Sequence, residues 1–321
     1  MTYFALLSGP NPALSQLELD TLVKMERVMR KKRVLLFEAN KIENGKRAAL
    51  THFVGELIAE GEMEKIVDAK IDVKGSFMAR AVRVPRGVSG DMPALEAALG
   101  EHILAQNDDA WVDLRNPKTV VKIVVTPELC YLVKLHYHCE RDFFDRHPTK
   151  RPIFHPSCVH SKLARVMVNL AGIKKGDLLL DPFCGPGGLL LEGASIGARV
   201  FGVDADPKMA EGARKNLAYF GFDGEIQDGL AQEIKRMFKF KFDAIVTDPP
   251  YGRNASIKKG GLNNLFLAQA KKVLKENGRM VLTSDKDITE MLENYFTVVG
   301  HESIPVHKSM TRELFVLEVV D

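Results

Sequence analysis

"FDAIVTDPPYG", residues 242–252, decides how this chain folds. Phe242 to Thr247 is a largely apolar run, as in a strand buried on both faces. Pro249 and Pro250 then stop it, because neither has a backbone donor for a ladder. Asp248 is left at the carboxyl tip of a strand, the edge where open α/β sheets bind ligands. The prolines stiffen the turn, so the Asp248 carboxylate and the carbonyls after it form a rigid set of acceptors beside Tyr251. Such a set suits a flat base carrying an NH2 group. A plain tight turn explains Asp-Pro-Pro equally well.

The surrounding sequence alternates strand and helix. "LLLDPF" reads as a strand, followed by a helix over Gly187 to Ile196. "RVFGVDAD" precedes a helix over Lys208 to Phe220, "FDAIVTD" one over Leu262 to Leu274, and "GRMVLTSD" one near Ile288 to Tyr295. This pattern predicts a parallel sheet with helices on both faces. "YFTVVGHESIPVH" and "RELFVLEVV" predict an antiparallel edge. The first half is a less regular α/β mixture. "MTYFALL" and "RVLLFEA" flank a helix over Pro12 to Met25; "SFMARAVRV", a helix over Pro93 to Ala105, "TVVKIVV" and "CYLVKLHY" follow. Three prolines and mixed charge in "RDFFDRHPTKRPIFHP" predict a linker over residues 140–156.

Composition bounds the function. At 321 residues the chain has room for two domains, and 45% hydrophobic with 27% charged residues is the balance of a soluble globular protein. With no apolar run of membrane length and no basic-then-apolar leader, we expect neither a span nor secretion, hence a cytoplasmic protein. Four cysteines suit a reducing compartment. A net charge of only +3 means that any nucleic-acid footprint must be a local patch.

"DPFCGPGG" (181–188) joins a strand to a helix. Counted from Gly185, the third glycine of a dinucleotide fingerprint would fall on Leu190, so that motif fails. There is no Lys-Ser/Thr ending, so it is no P-loop. Asp181 before the glycines would repel phosphate and suits a cation. Asp204 ends the next strand, 23 residues on, placed to accept from ribose hydroxyls. Asp228 in "IQDG" is placed to accept from an adenine amino group. The three acids outline a positively charged nucleoside, S-adenosylmethionine; ordinary loop acids are the bland alternative. No Pro-Cys pair offers the thiolate that cytosine C5 methylation needs, and Cys184 reads as packing.

"LLLDPFCGPGGLLLEGA" (178–194), "VFGVDADPKM" (200–209) and "TDPPYG" (247–252) resemble the amino-group methyltransferases of nucleic acids over most of residues 157–321. "KRPIFHPSCVHSKLARVMVNLAG" (150–172) resembles the segment before the first strand in tRNA guanine-N2 methyltransferases. The first half is similar to a THUMP RNA-binding domain with a ferredoxin-like piece before it. The family resembled most is that of the archaeal tRNA (guanine-10-N2)-methyltransferases. The resemblance implies an α/β chain: a class I, seven-stranded, mostly parallel, doubly wound sheet over residues 157–321, and an α+β ferredoxin-like/THUMP region over 1–139. It implies one or two methyl transfers to the N2 of a guanosine, most closely guanosine 10. Asp248, Pro249, Pro250 and Tyr251 would receive the base. His155, Asp181, Phe183, Cys184, Gly185, Gly187, Asp204, Asp228 and Asp248 would form the S-adenosylmethionine site. The partner is tRNA, with a small activating zinc-binding protein as a further candidate.

From Lys134 to Arg165 seven Lys or Arg face three acids, with Phe143, Phe144 and Phe154 interleaved. Arg141, Arg146, Lys150 and Arg151 are the RNA contacts expected there. Five of the nine histidines lie between His136 and His160, but without CxxC knuckles no metal site is expected. Three rivals stay open: guanine-N2 methylation elsewhere on tRNA such as the acceptor stem, adenine-N6 methylation of DNA, and a non-catalytic RNA-binding protein on the same fold.

Overall fold

The computed structural model describes residues 1–156, 158–250, 262–307 and 310–319. Tyr251 lies outside the described residues. The chain divides into two compact units, residues 1–46 with 50–140 and residues 47–49 with 141–321. Among the described residues no helix is long and apolar enough to cross a membrane.

The first unit is built on one eight-stranded mixed sheet. Its strands are β1 (Tyr3–Leu7), β2 (Glu26–Lys31), β3 (Val34–Glu38), β4 (Thr51–Gly61), β5 (Gly75–Arg83), β6 (Ala110–Val112), β7 (Thr119–Val125) and β8 (Cys130–His138). They lie in the order β2-β3-β1-β4-β8-β7-β5-β6. β4 and β8 pair antiparallel in the middle of the sheet. The basic stretch after the first helix is the fully exposed edge strand β2. An edge needs no apolar face, so alternation gives no signal there.

The second unit carries β9 (Leu178–Asp181), β10 (Arg199–Asp204), β11 (Gly224–Asp228), β12 (Phe242–Thr247), β13 (Leu274–Ser284), β14 (Phe296–His307) and β15 (Met310–Val319). Their order is β11-β10-β9-β12-β13-β15-β14. β9 to β13 run parallel, and β15 pairs antiparallel with both β13 and β14. This is the expected mostly parallel sheet with an antiparallel edge. Helices Gly188–Ser195 and Pro207–Tyr219 pack on β9, β10 and β11. Leu180, Phe201, Ile245, Leu282 and Phe315 instead cluster with Phe238, Phe266 and Leu292 from later helices and loops. Each such side chain contributes about 1.5–3 kcal/mol on burial.

The segment expected to be a linker belongs to the body of the second unit. Two short 3-10 helices, Asp142–Phe144 and Pro148–Lys150, turn it inward, and Phe143 is fully buried. An ionic cluster ties it down. Arg146 forks onto Glu192, Nε to Oε1 at 2.9 Å and Nη2 to Oε2 at 3.0 Å. Arg165, on the helix Ser161–Leu170, gives Nε to Glu192 Oε2 at 3.0 Å and Nη2 to Ser195 Oγ at 2.8 Å. Asp142 accepts from both arginines, at 2.8 and 3.2 Å. The chain needs these charges inside because one buried carboxylate can satisfy two guanidinium forks at once.

Candidate active site

β9 and β12 are parallel neighbours, with Leu179 beside Ala244 and Leu180 beside Ile245. From β9 the sheet is built towards β10 and β11, and from β12 towards β13. Strand order therefore reverses between β9 and β12, which opens a crevice at their carboxyl ends. Asp181 and Asp248 stand at that crevice.

Pro182 lacks the donor to extend β9, so the chain turns immediately after Asp181. Asp181 is 1% exposed. Its Oδ1 accepts from Thr247 Oγ1 at 2.7 Å and from the Phe183 amide at 3.1 Å. Burial pushes its pKa up to about 8, those two hydrogen bonds oppose the rise, and Asp204 and Asp248 add to it. Near neutral pH the carboxyl therefore holds a proton until a cation arrives.

The turn is pinned to β10. The Cys184 amide donates to the Val203 carbonyl at 3.0 Å, and the Gly185 amide donates to Asp204 Oδ2 at 2.8 Å. Asp204 Oδ1 accepts from the Asp206 amide at 2.8 Å. Burial raises the Asp204 pKa, while these two amides pull it down. Gly187 sits at φ +82°, a left-handed conformation that a side chain would strain, and an added Cβ would lie 3.1 Å from Ala213 Cβ. The helix Gly188–Ser195 starts from that turn. Cys184 is buried against β10, and burial holds its thiol well above its usual pKa, which leaves it an unreactive packing group.

Asp228 stands opposite Asp204 in the β10–β11 register. Its Oδ1 is 3.2 Å from Arg214 Nη2, which also donates to the Ile226 carbonyl. Asp181 and Asp204 are thus joined through the glycine loop, while Asp228 lies one strand further out and is held by an arginine.

Asp248 is engaged from two strands. Thr283 Oγ1, on β13, donates to its Oδ1. Arg312 Nη2, on β15, lies 3.3 Å from its Oδ2. Asp248 lines a small cavity with Cys158, Asp181, Phe183, Gly185 and Gly188. Pro250 lines a larger one of about 770 Å³ with Leu262, Ser284, Asp285, Ile288 and Met291. The Asp-Pro-Pro turn therefore borders both spaces.

The remaining expected residues fall differently. His155 is exposed, and its carbonyl accepts from the Cys158 amide at 3.0 Å. Of the three arginines and one lysine expected to meet RNA, Arg146 and Arg151 are 7% and 5% exposed and face the interior. Arg141 donates to the Ala49 carbonyl at 2.6 Å. Only Lys150 is exposed, 3.3 Å from Asp145. Charge alone does not tell a surface arginine from one whose carboxylate partner lies 46 residues away. Among the described residues, no three His, Cys, Asp or Glu side chains converge as metal ligands. Sequence reasoning missed Thr247, Thr283, Arg312, Cys158 and Val159. Thr247 was accessible, being the last strand residue before the acid; a threonine and an arginine on later strands gave no signal.

Comparison with known proteins agrees with this geometry. Residues 148–313 match the UPF0020 family, an RMKL-like methyltransferase domain. The tRNA (guanine(10)-N2)-dimethyltransferase of Methanothermobacter thermautotrophicus is 36% identical over 293 residues, covering 86% of this chain and 84% of that protein. That of Pyrococcus abyssi is 30% identical over 331 residues, covering 98% and 99%. The crystal structure of TrmN from Thermus thermophilus shares the fold, with a TM-score of 0.54 at 22% identity over the whole of both chains.

Proposed function

Because the chain belongs to the family of archaeal tRNA (guanine(10)-N2)-dimethyltransferases, we propose that it carries methyl groups from S-adenosylmethionine to the N2 of guanosine 10 in tRNA. One observation carries the reading: the Asp-Pro-Pro turn at the strand-order switch borders two cavities, Asp248 lining the acid-lined one and Pro250 the larger one.

The donor fits the residues present. The loop offers carboxylates, not phosphate ligands, to a guest whose reactive end is a cation. The space over Gly185 is open, since a Cβ there would meet nothing within 4 Å. Asp181 faces the cationic end and Asp204 and Asp228 the ribose and base. When bound, S-adenosylmethionine supplies an electrophilic methyl, whose S–C bond breaks as the N–C bond forms. Asp248 accepts one N–H of the guanine amine and the Pro249 carbonyl accepts the other, which aims the nitrogen lone pair along the line of transfer. The carboxylate offsets the positive charge that builds on nitrogen, and the displaced proton leaves through it or to water. The base reaches the site only once flipped from its helix. The first unit, as a THUMP-like region, supplies tRNA affinity.

Two outcomes test the donor site. Asp204→Ala removes the acceptor of the Gly185 amide together with the ribose partner, so affinity for S-adenosylhomocysteine should fall by about 1.5–3 kcal/mol. Unchanged binding by calorimetry would refute the assignment. Asp181 is protonated in the free protein and must ionise to hold a cation. Binding below about pH 8 should therefore release a proton, and affinity should drop about tenfold from pH 7 to pH 6. The sign follows because the free-state pKa lies above the bound-state value; a flat profile would mean that Asp181 stays neutral as a donor. The activity itself is tested by nucleoside mass spectrometry of an unmodified tRNA transcript incubated with the chain and S-adenosylmethionine. Methylated guanosine mapped to position 10 is expected; methyl groups elsewhere would favour the acceptor-stem reading. Turnover with the chain alone would dispense with a zinc-binding activator.

A further inference from the structure

The residue with the least explained charge in the second unit is Arg151. It is 5% exposed, and its Nε donates to the Arg146 carbonyl at 2.9 Å. Its Nη1 and Nη2 are buried with no hydrogen-bond partner among the described residues. A guanidinium stays charged at any pH a folded protein meets. A buried cation without a counter-charge is costly, so a fold that keeps one needs an anion for it at some stage.

Among the described residues, nothing in its surroundings supplies that anion. Glu192 is near, but its oxygens are taken by Arg146 and Arg165. Cys158 is near, but burial raises its pKa and keeps it a neutral thiol. The guanidinium does have a definite direction. Nη1 lies 2.8 Å from where a Cβ on Gly188 would stand, so the group rests on the first residue of the helix Gly188–Ser195. Only glycine leaves room for it. Gly188 and Cys158 both line the small cavity that also holds Asp181 and Asp248.

We propose that Arg151 receives the carboxylate of the methyl donor's amino-acid end at the edge of this cavity. The proposal rests on the donor reading above. S-adenosylmethionine carries a sulfonium, an ammonium and a single carboxylate. Asp181, once ionised, attracts the first two and repels the third. Arg151 and the amides that open the helix Gly188–Ser195 are the groups of matching sign, and a planar fork suits a carboxylate. The arrangement sorts the zwitterion by charge: cation towards Asp181, anion towards Arg151.

The test compares two ligands by calorimetry on the full chain. S-adenosylhomocysteine has the amino-acid end; 5′-methylthioadenosine lacks it. Arg151→Met should weaken S-adenosylhomocysteine about 10- to 100-fold and change methylthioadenosine by less than about threefold. Arg151→Lys should recover part of the loss, as a point charge without the fork. The ligand-free Arg151→Met protein should melt no lower than wild type, because the variant removes an unpaired buried charge. Equal loss for both ligands, no loss for either, or a ligand-free protein that unfolds well below wild type would each assign Arg151 a packing role and overturn the proposal. Wild-type protein that binds neither ligand would instead overturn the donor reading itself.

Discussion

Replacing Asp248 by alanine should lower the single-turnover rate of methyl transfer about 100- to 1,000-fold at saturating tRNA and donor, the range seen when one preorganised group facing developing charge is lost. The loss belongs in the chemical step. The amine is neutral in the ground state and gains positive charge only as the N–C bond forms, so the carboxylate holds the transition state more strongly than the substrate. Affinities for S-adenosylhomocysteine and tRNA should stay within a few-fold of wild type, since the loop on Asp204 and the first unit are untouched. Asp248→Asn should fall between, because the amide oxygen accepts from N–H without offsetting charge. Thr283 and Arg312 lose the Asp248 carboxylate in both variants. A thermal melt separates that effect from the rate, which is measured on folded protein. A wild-type rate for Asp248→Ala would reduce the Asp-Pro-Pro stretch to a turn.

The largest stability effect should come from Glu192, a residue given no part in the proposed chemistry. It is fully buried and binds both Arg146 and Arg165. Glu192→Ala leaves two guanidinium groups with only the half-exposed Asp142 to share. Breaking a buried ion pair from one side costs about 3–5 kcal/mol, far more than the pair contributes over an apolar replacement. The triple variant Arg146→Met, Arg165→Met, Glu192→Leu should therefore lose much less than Glu192→Ala alone. Chemical denaturation of the full chain, followed by a probe in the second unit, checks this. Equal losses for the two proteins would show that the cluster is held by packing and not by its charges.

The sequence showed the centre of the second unit's sheet well because β9, β10 and β12 are mostly apolar runs that end at or just before an aspartate. Asp181, Asp204 and Asp248 are those aspartates. β2 and β4 were not legible. β2 is fully exposed, and β4 shifts register against both β1 and β8, so neither alternates cleanly. Residues 141–156 look like a linker because proline and charge are what linkers contain. Their burial depends on Glu192, a residue of another element, and no local pattern encodes that. The roles of Thr283 and Arg312 are likewise set by the order of strands in the sheet.

That order also governs assembly in time. β15 lies between β13 and β14 but follows both in the chain. A ribosome making this protein releases β14 before its only neighbour in the sheet exists. The hairpin must then insert against β13 as a late event between partners that are already waiting. Arg312 arrives with that strand and Asp248 was made long before, so Asp248 gains this arginine only when the sheet closes. A nascent or partly unzipped chain therefore holds Asp248 without its contact to Arg312, even with the glycine loop already formed on β9 and β10.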